Sequence, residues 1–174
     1  MKRLTLLFTL AVTFLASGSV YAQITKDQMI AEWQRAKTYT KAYLDAMPED
    51  GYAYKPTPEM RTFAAQMLHL ADANYFLVGA ASGKPNPLGA SAEKTIAQTK
   101  DATTKAAMDS YDYVISALQA LTPAQLQEMV KVAGQNISKS LAIDKAFEHQ
   151  THTRGQTVAY LRLKGVTPPP EMLF

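Results

Sequence analysis

The side chains best suited to chemistry in this 174-residue chain are its three histidines, His69, His149 and His152. Neutral imidazole is the commonest side-chain metal ligand, and residues three or four apart on a helix are neighbours. His149 and His152, in the run Phe147-Glu148-His149-Gln150-Thr151-His152-Thr153-Arg154-Gly155-Gln156, are therefore candidates to share one divalent ion, zinc or nickel, with His69 supplied by another helix. The same spacing allows a plainer arrangement, with His149 a hydrogen-bonded core histidine and His152 on the surface. Cysteine is absent altogether, which excludes disulfides, thiolate metal sites, a cysteine nucleophile, c-type haem attachment and a lipid anchored on cysteine.

Helices must position these histidines. Thr25-Lys26-Asp27-Gln28 is a capping box, followed by Met29, Trp33, Ala36, Thr40, Tyr43, Leu44 and Met47 at helical spacing, which predicts a first helix to about Met47. Pro48 to Gly51 stops it, and a loop to Met60 carries Tyr52 and Tyr54, expected as exposed loop tyrosines. A second helix is predicted from about Thr62 to Ser82, broken by the Gly83 to Gly89 segment. His69 lies about 40° around that helix from both Ala65 and Ala73, on its inward half.

Ser91 is the expected cap of a long third helix from Ala92 to Leu121. Thr122-Pro123-Ala124-Gln125 is a further cap signature, and it predicts a short helix over Leu126 to Val132, left through Gly134-Gln135-Asn136. The last long helix starts near Ser138 or Ser140 and runs to Lys164, ended by Gly165 and by Pro168-Pro169-Pro170. With no strand-like alternation, the pattern predicts an all-α fold, a four-helix bundle whose interior suits inward-pointing ligands.

The N-terminus has the order of a secretory signal: Lys2-Arg3, then the apolar run Leu4 to Leu15, then small residues leading to Val20-Tyr21-Ala22. The apolar run is too short to span a bilayer, which needs roughly 20 apolar residues. The expected organisation is a signal peptide over 1–22 and one domain over 23–174, carried across the inner membrane to the periplasm, with no membrane segment in the mature form. Removing residues 1–22 takes two of the 18 basic residues and none of the 15 acidic ones, so the net charge falls from +3 to +1. A nearly neutral chain offers no electrostatic reason to bind nucleic acid. The partners left open are a small-molecule substrate and a second copy of the chain, as a homodimer.

The run from His149 to Gln156, followed by Tyr160-Leu161-Arg162 and Gly165, resembles the last-helix signature of the DinB-like superfamily. Met67-Leu68-His69-Leu70-Ala71-Asp72 resembles that superfamily's second-helix histidine segment. The likeness spans the mature chain in helix order and is most specific in the last-helix run. It implies a four-helix bundle holding a divalent metal on three histidines, one on the second helix and two on the last, at i and i+4. It also implies kinship with thiol-dependent transferases and isomerases. Here the second last-helix position falls on Thr153, so the resemblance carries over only His69 and His149. His152 lies about 60° from His149 on the side away from Thr153.

Three functions follow. One is a metal-dependent transferase or hydrolase, with an open coordination position activating water or a thiol; export argues against the intracellular thiols some relatives use. Another is a bundle that holds a metal or small ligand without turnover, its site degraded at Thr153. A third is non-covalent haem, with Met29 opposite a histidine, set against the commoner use of methionine as core filler. Glu148 is expected in solvent, Arg154 in a structural role, and Gly155 at a close approach of two helices. The N-terminal motif makes a direct prediction. Mass spectrometry of the exported protein should find a chain beginning at Gln23, and an intact Met1 in the mature fraction would refute the cleavage site.

Overall fold

The computed structural model describes residues 24–174, so the expected signal segment lies outside the described residues. Helix α1, Lys26–Ala46, opens on the capping box, in which the Thr25 hydroxyl accepts from the Gln28 amide while the Gln28 side chain accepts from the Thr25 amide. A 3-10 turn, Glu49–Gly51, follows. Helix α2, Phe63–Ser82, is capped by Thr62 and closes on Gly83, whose φ of 73° favours a residue without a Cβ. A single turn, α3, covers Ala92–Thr95, and helix α4 covers Lys100–Ala120. The short α5, Pro123–Leu126, precedes strands β1, Met129–Val132, and β2, Gln135–Ser138, and helix α6, Lys139–Leu163, completes the fold.

The four long helices enclose one core. Helix α2 packs against α4 and α6, and α1 packs against the same two from the other side. Trp33, Phe63, Leu68, Tyr111, Leu118, Ile143 and Tyr160 fill the space between them. None of the helices among the described residues is long and apolar enough to cross a membrane.

Four sequence expectations are corrected. The fold is mostly helical rather than all-α, because the short helix foreseen over Leu126 to Val132 ends at Leu126. Residues 129–132 instead form an antiparallel hairpin with 135–138, pairing Val132 with Gln135 and Met129 with Ser138. The two residues between, Ala133 at φ 48° and Gly134 at φ 82°, both have positive φ, as a two-residue type I′ turn demands. The foreseen third helix is split, since Ile96 is extended and Thr99 caps a new helix through the Ala102 amide. Tyr52 is buried at 1% exposure, its hydroxyl donating to the Leu44 carbonyl at 2.8 Å. Gly155 is exposed, and a Cβ there would meet nothing within 4 Å, so no close helix approach accounts for it.

Left-handed backbone at a residue with a Cβ costs roughly 1 kcal/mol or more, and asparagine tolerates it better than alanine. Ala133→Asn should therefore stabilise the protein by about 0.5 kcal/mol, raising Tm by a degree or two in a chain of this size. Thermal denaturation of the variant checks this, and a lowered Tm would contradict the turn assignment.

Candidate metal centre

Two of the three histidines meet. His69 projects from α2 and His149 from α6, their Nε2 atoms 3.3 Å apart and their rings edge-on at a 5.0 Å centroid separation. Helix phase explains this placement. Taking Arg154 as origin on α6, the buried residues Ile143, Leu161, Gln150, Thr157, Ala146, Thr153, Ala142 and Tyr160 fall within an arc of about 120°, on steps of 100° per residue. His149 falls about 20° beyond the end of that arc and is half-buried. His152 falls about 60° further round and is exposed.

Both paired imidazoles titrate below the ordinary histidine value. For His69 burial is the main cause, with Arg61 adding to it and Glu93 and Asp72 opposing. For His149 burial again leads, followed by repulsion from His69, His152 and Arg61. The pair is thus held neutral, with lone pairs available rather than protonated. A neutral pair at 3.3 Å needs one nitrogen to donate and the other to accept. His149 Nδ1 is buried without a hydrogen-bond partner.

His152 turns its Nε2 to the Gln156 side-chain nitrogen at 2.9 Å, and Gln156 in turn accepts from the Gln66 amide. Thr153, at the position the family likeness assigns to a ligand, is 1% exposed. Among the described residues no group of three or more His, Cys, Asp or Glu side chains stands in the spacing of a metal site. Beside the pair lies a cleft of about 730 Å³, lined by Arg61, Gln66, Glu93, Gln156 and Tyr160 among others, so the partners of His69 and of His152 share one opening.

The remaining sequence candidates have other surroundings. Glu148 is exposed and pairs with Lys145 at 2.7 Å. Met29 lines a cleft of about 230 Å³ with Trp33 and Phe147, and no histidine lines that cleft, so the geometry does not set Met29 opposite an imidazole for haem. Arg154, expected in a structural role, ties helices together. It donates to Gln150 Oε1 at 2.8 Å and to Thr40 Oγ1 at 3.3 Å. The C-terminal segment is held instead by Arg35, which donates to the Met172 carbonyl. Sequence reasoning missed Glu93, whose carboxylate lies 3.8 Å from His69 Nδ1. Nothing in the spacing of residues 69 and 93 signals that meeting.

A family model described as the DinB superfamily matches residues 32–161. Among solved structures, a DinB-like protein from Bacillus cereus ATCC 10987 is similar with a TM-score of 0.75 at 18% identity, over 83% of this chain and 96% of that one. A DinB-like protein from Bacillus subtilis is similar with a TM-score of 0.68, also at 18% identity and over the same shares of the two chains. At such identity these structures speak for the fold. No curated protein matches the chain.

The lowered histidine values fix a pH dependence. A group whose folded-state pKa is depressed binds more protons unfolded than folded, so the stability it supports is complete above the unfolded value of about 6.5 and is lost as pH falls through the folded values. Tm should fall between pH 7 and pH 5, and the double variant His69→Gln with His149→Gln should show a flatter profile in thermal melts across that range. Parallel profiles for the two proteins would show that the pair is not desolvated.

Proposed function

This chain belongs to the DinB superfamily, and on that premise we propose that it is an exported, four-helix-bundle protein that binds a divalent metal, zinc or nickel, through His69 and His149, recruits His152 as a third nitrogen, and acts on a small molecule as a metal-dependent transferase or hydrolase. The observation that carries this reading is the 3.3 Å between the two Nε2 atoms. Two ligands at 2.0–2.1 Å on a tetrahedral ion stand roughly 3.3–3.4 Å apart. Burial supports it as well, because imidazoles held neutral have no proton to give up on binding. Export is supported by the residue order from Lys2 to Ala22.

A divalent ion would be held by His69 and His149 and would supply Lewis acidity. The chain's own groups do the rest. Arg61 offers a cation to an anionic or carbonyl-bearing ligand, the Gln66 and Gln156 amides offer polar contacts, and Tyr160 packs along the wall with its hydroxyl committed to the Arg61 carbonyl at 2.9 Å. His152 would serve as a third nitrogen only by exchanging its contact with Gln156, and an i, i+3 pair is a spacing that bundle metal sites use. A second reading, an ion or ligand held without turnover, is favoured by Thr153 in place of the family's third ligand.

Calorimetric titration of metal-stripped protein with zinc and nickel tests the proposal. His149→Ala and His152→Ala should each weaken binding by about tenfold or more, equivalent to ~1.4 kcal/mol, while Thr153→His changes little. A silent His152→Ala together with tighter binding by Thr153→His would instead identify a two-histidine site with the third position vacated. Because Thr153 is buried, Thr153→His carries an overpacking cost of about 1–3 kcal/mol, to be measured separately by denaturation. Wild-type protein that binds neither ion, with Thr153→His also inert, refutes the metal reading.

A further inference from the structure

Asp72 lies on α2 one turn beyond His69 and makes no ion pair among the described residues. Its carboxylate instead accepts from the Ser91 hydroxyl at 2.6 Å, the Ala92 amide at 2.5 Å and the Glu93 amide at 3.2 Å. Those are the first residues of α3, a turn too short to hold its own orientation, and the hydroxyl of Ser91 is spent on Asp72 rather than on capping. A carboxylate on α2 thus pins a distant turn of chain against the helix that carries His69. The turn then presents Glu93 in one direction. One Glu93 oxygen accepts from Arg61 Nε at 3.0 Å, and the other stands 3.8 Å from His69 Nδ1, while His69 Nε2 faces His149.

We infer that Glu93 is the positioning carboxylate of this centre: it holds His69 in the Nδ1–H tautomer, so that the Nε2 lone pair points toward His149 and the space where an ion would sit. The inference rests on the metal-binding reading above and deepens it. Metal-bound histidines almost always donate their second ring N–H to a carboxylate, carbonyl or water, which fixes the tautomer and raises ligand basicity. At 3.8 Å the two atoms stand beyond hydrogen-bond distance, so the proposed contact requires the Glu93 and His69 side chains to draw together. Arg61 holds the far oxygen and so limits the carboxylate's rotation. His149 has no equivalent support, since its Nδ1 is enclosed without a partner. His69 is therefore the fixed ligand of the pair and His149 the adjustable one. Asp72 acts on His69 only through the turn it pins, which makes it a supporting group one step further out.

The test reads the tautomer directly. Long-range proton–nitrogen correlation spectra of the full metal-free protein at pH 8 should show His69 protonated at Nδ1. Glu93→Ala should shift it toward Nε2–H, and Glu93→Gln, which keeps an oxygen acceptor, should retain Nδ1–H. Zinc affinity by calorimetry should fall about 10–100-fold in Glu93→Ala and less in Glu93→Gln. Glu93 is partly exposed, so Tm should hardly move, which separates positioning from folding. A His69 signal that is Nε2–H in the wild type, or unchanged in Glu93→Ala, overturns the role of Glu93. Equal zinc affinity in wild type and Glu93→Ala does the same while leaving the metal reading intact. Protein whose His69 tautomer obeys Glu93 but that binds neither zinc nor nickel overturns the metal reading alone.

Discussion

The placement of everything on the last helix depends on one buried cation. Arg154 is 6% exposed and pairs with no carboxylate among the described residues, so burial pushes its pKa down and its charge is met by neutral groups. It is met by a closed ring. Arg154 donates to Gln150 and to Thr40, the Thr40 and Tyr111 hydroxyls share a hydrogen bond at 2.6 Å, and Tyr111 donates to Gln150 at 2.8 Å. The guanidinium lies over the Tyr39 ring at 4.3 Å. Residues from α1, α4 and α6 all take part, and removing any one leaves a buried polar group unpaired at about 1–3 kcal/mol. Such a ring tolerates little rotation of α6, and that is why His149 sits at the rim of the buried arc and His152 outside it. Bringing His152 inward by turning the helix would break the ring, so only movement of its own side chain is open to it.

The histidine pair is inexpensive to keep because both members are neutral. Two imidazolium ions 3.3 Å apart in a half-buried seam would repel strongly, and the environment has already moved both pKa values in the direction that prevents it. The unpaired Nδ1 of His149 is the cost that remains. It identifies the seam between α2 and α6 as a place where hydrogen bonding is incomplete, beside a core in which nearly all other polar atoms are matched.

How much of this was legible in the sequence depended on how local the cause was. The caps at Thr25, Thr62 and Ser138 act over three residues, and each helix begins where its cap stands. The hairpin went unread because its strands are four residues long and its turn is Ala133-Gly134, which lacks the asparagine or aspartate that marks such turns. The split in the third helix went unread because Ser91 and the residues after it were read as one continuous helix, whereas Thr99 caps a second one through the Ala102 amide. Tyr52 looks like a loop residue until its hydroxyl finds a carbonyl eight residues back. His69 and His149 were legible through helix phase and family likeness together. Glu93 was not, because Asp72 brings it to His69 from 24 positions further along the chain.

Thr153 bears on what kind of site this is. It lies about 40° from His149 on the helix wheel, one turn on, inside the buried arc. Its near-complete burial means that the side chain at this position faces the core rather than the solvent. A chain that had merely lost a histidine would keep a cavity, at a cost that grows with its volume. Here Thr153 is buried, while the linked side chains of Gln66, Gln156 and His152 lie outside it, with Gln66 and Gln156 lining the cleft. On the proposed reading, coordination beyond the two fixed nitrogens must come from that outer side, from His152 or from whatever occupies the cleft. A third ligand supplied from solvent-facing groups exchanges more readily than one built into the core. On that reading, threonine at this position would couple retention of an ion to the contents of the cleft.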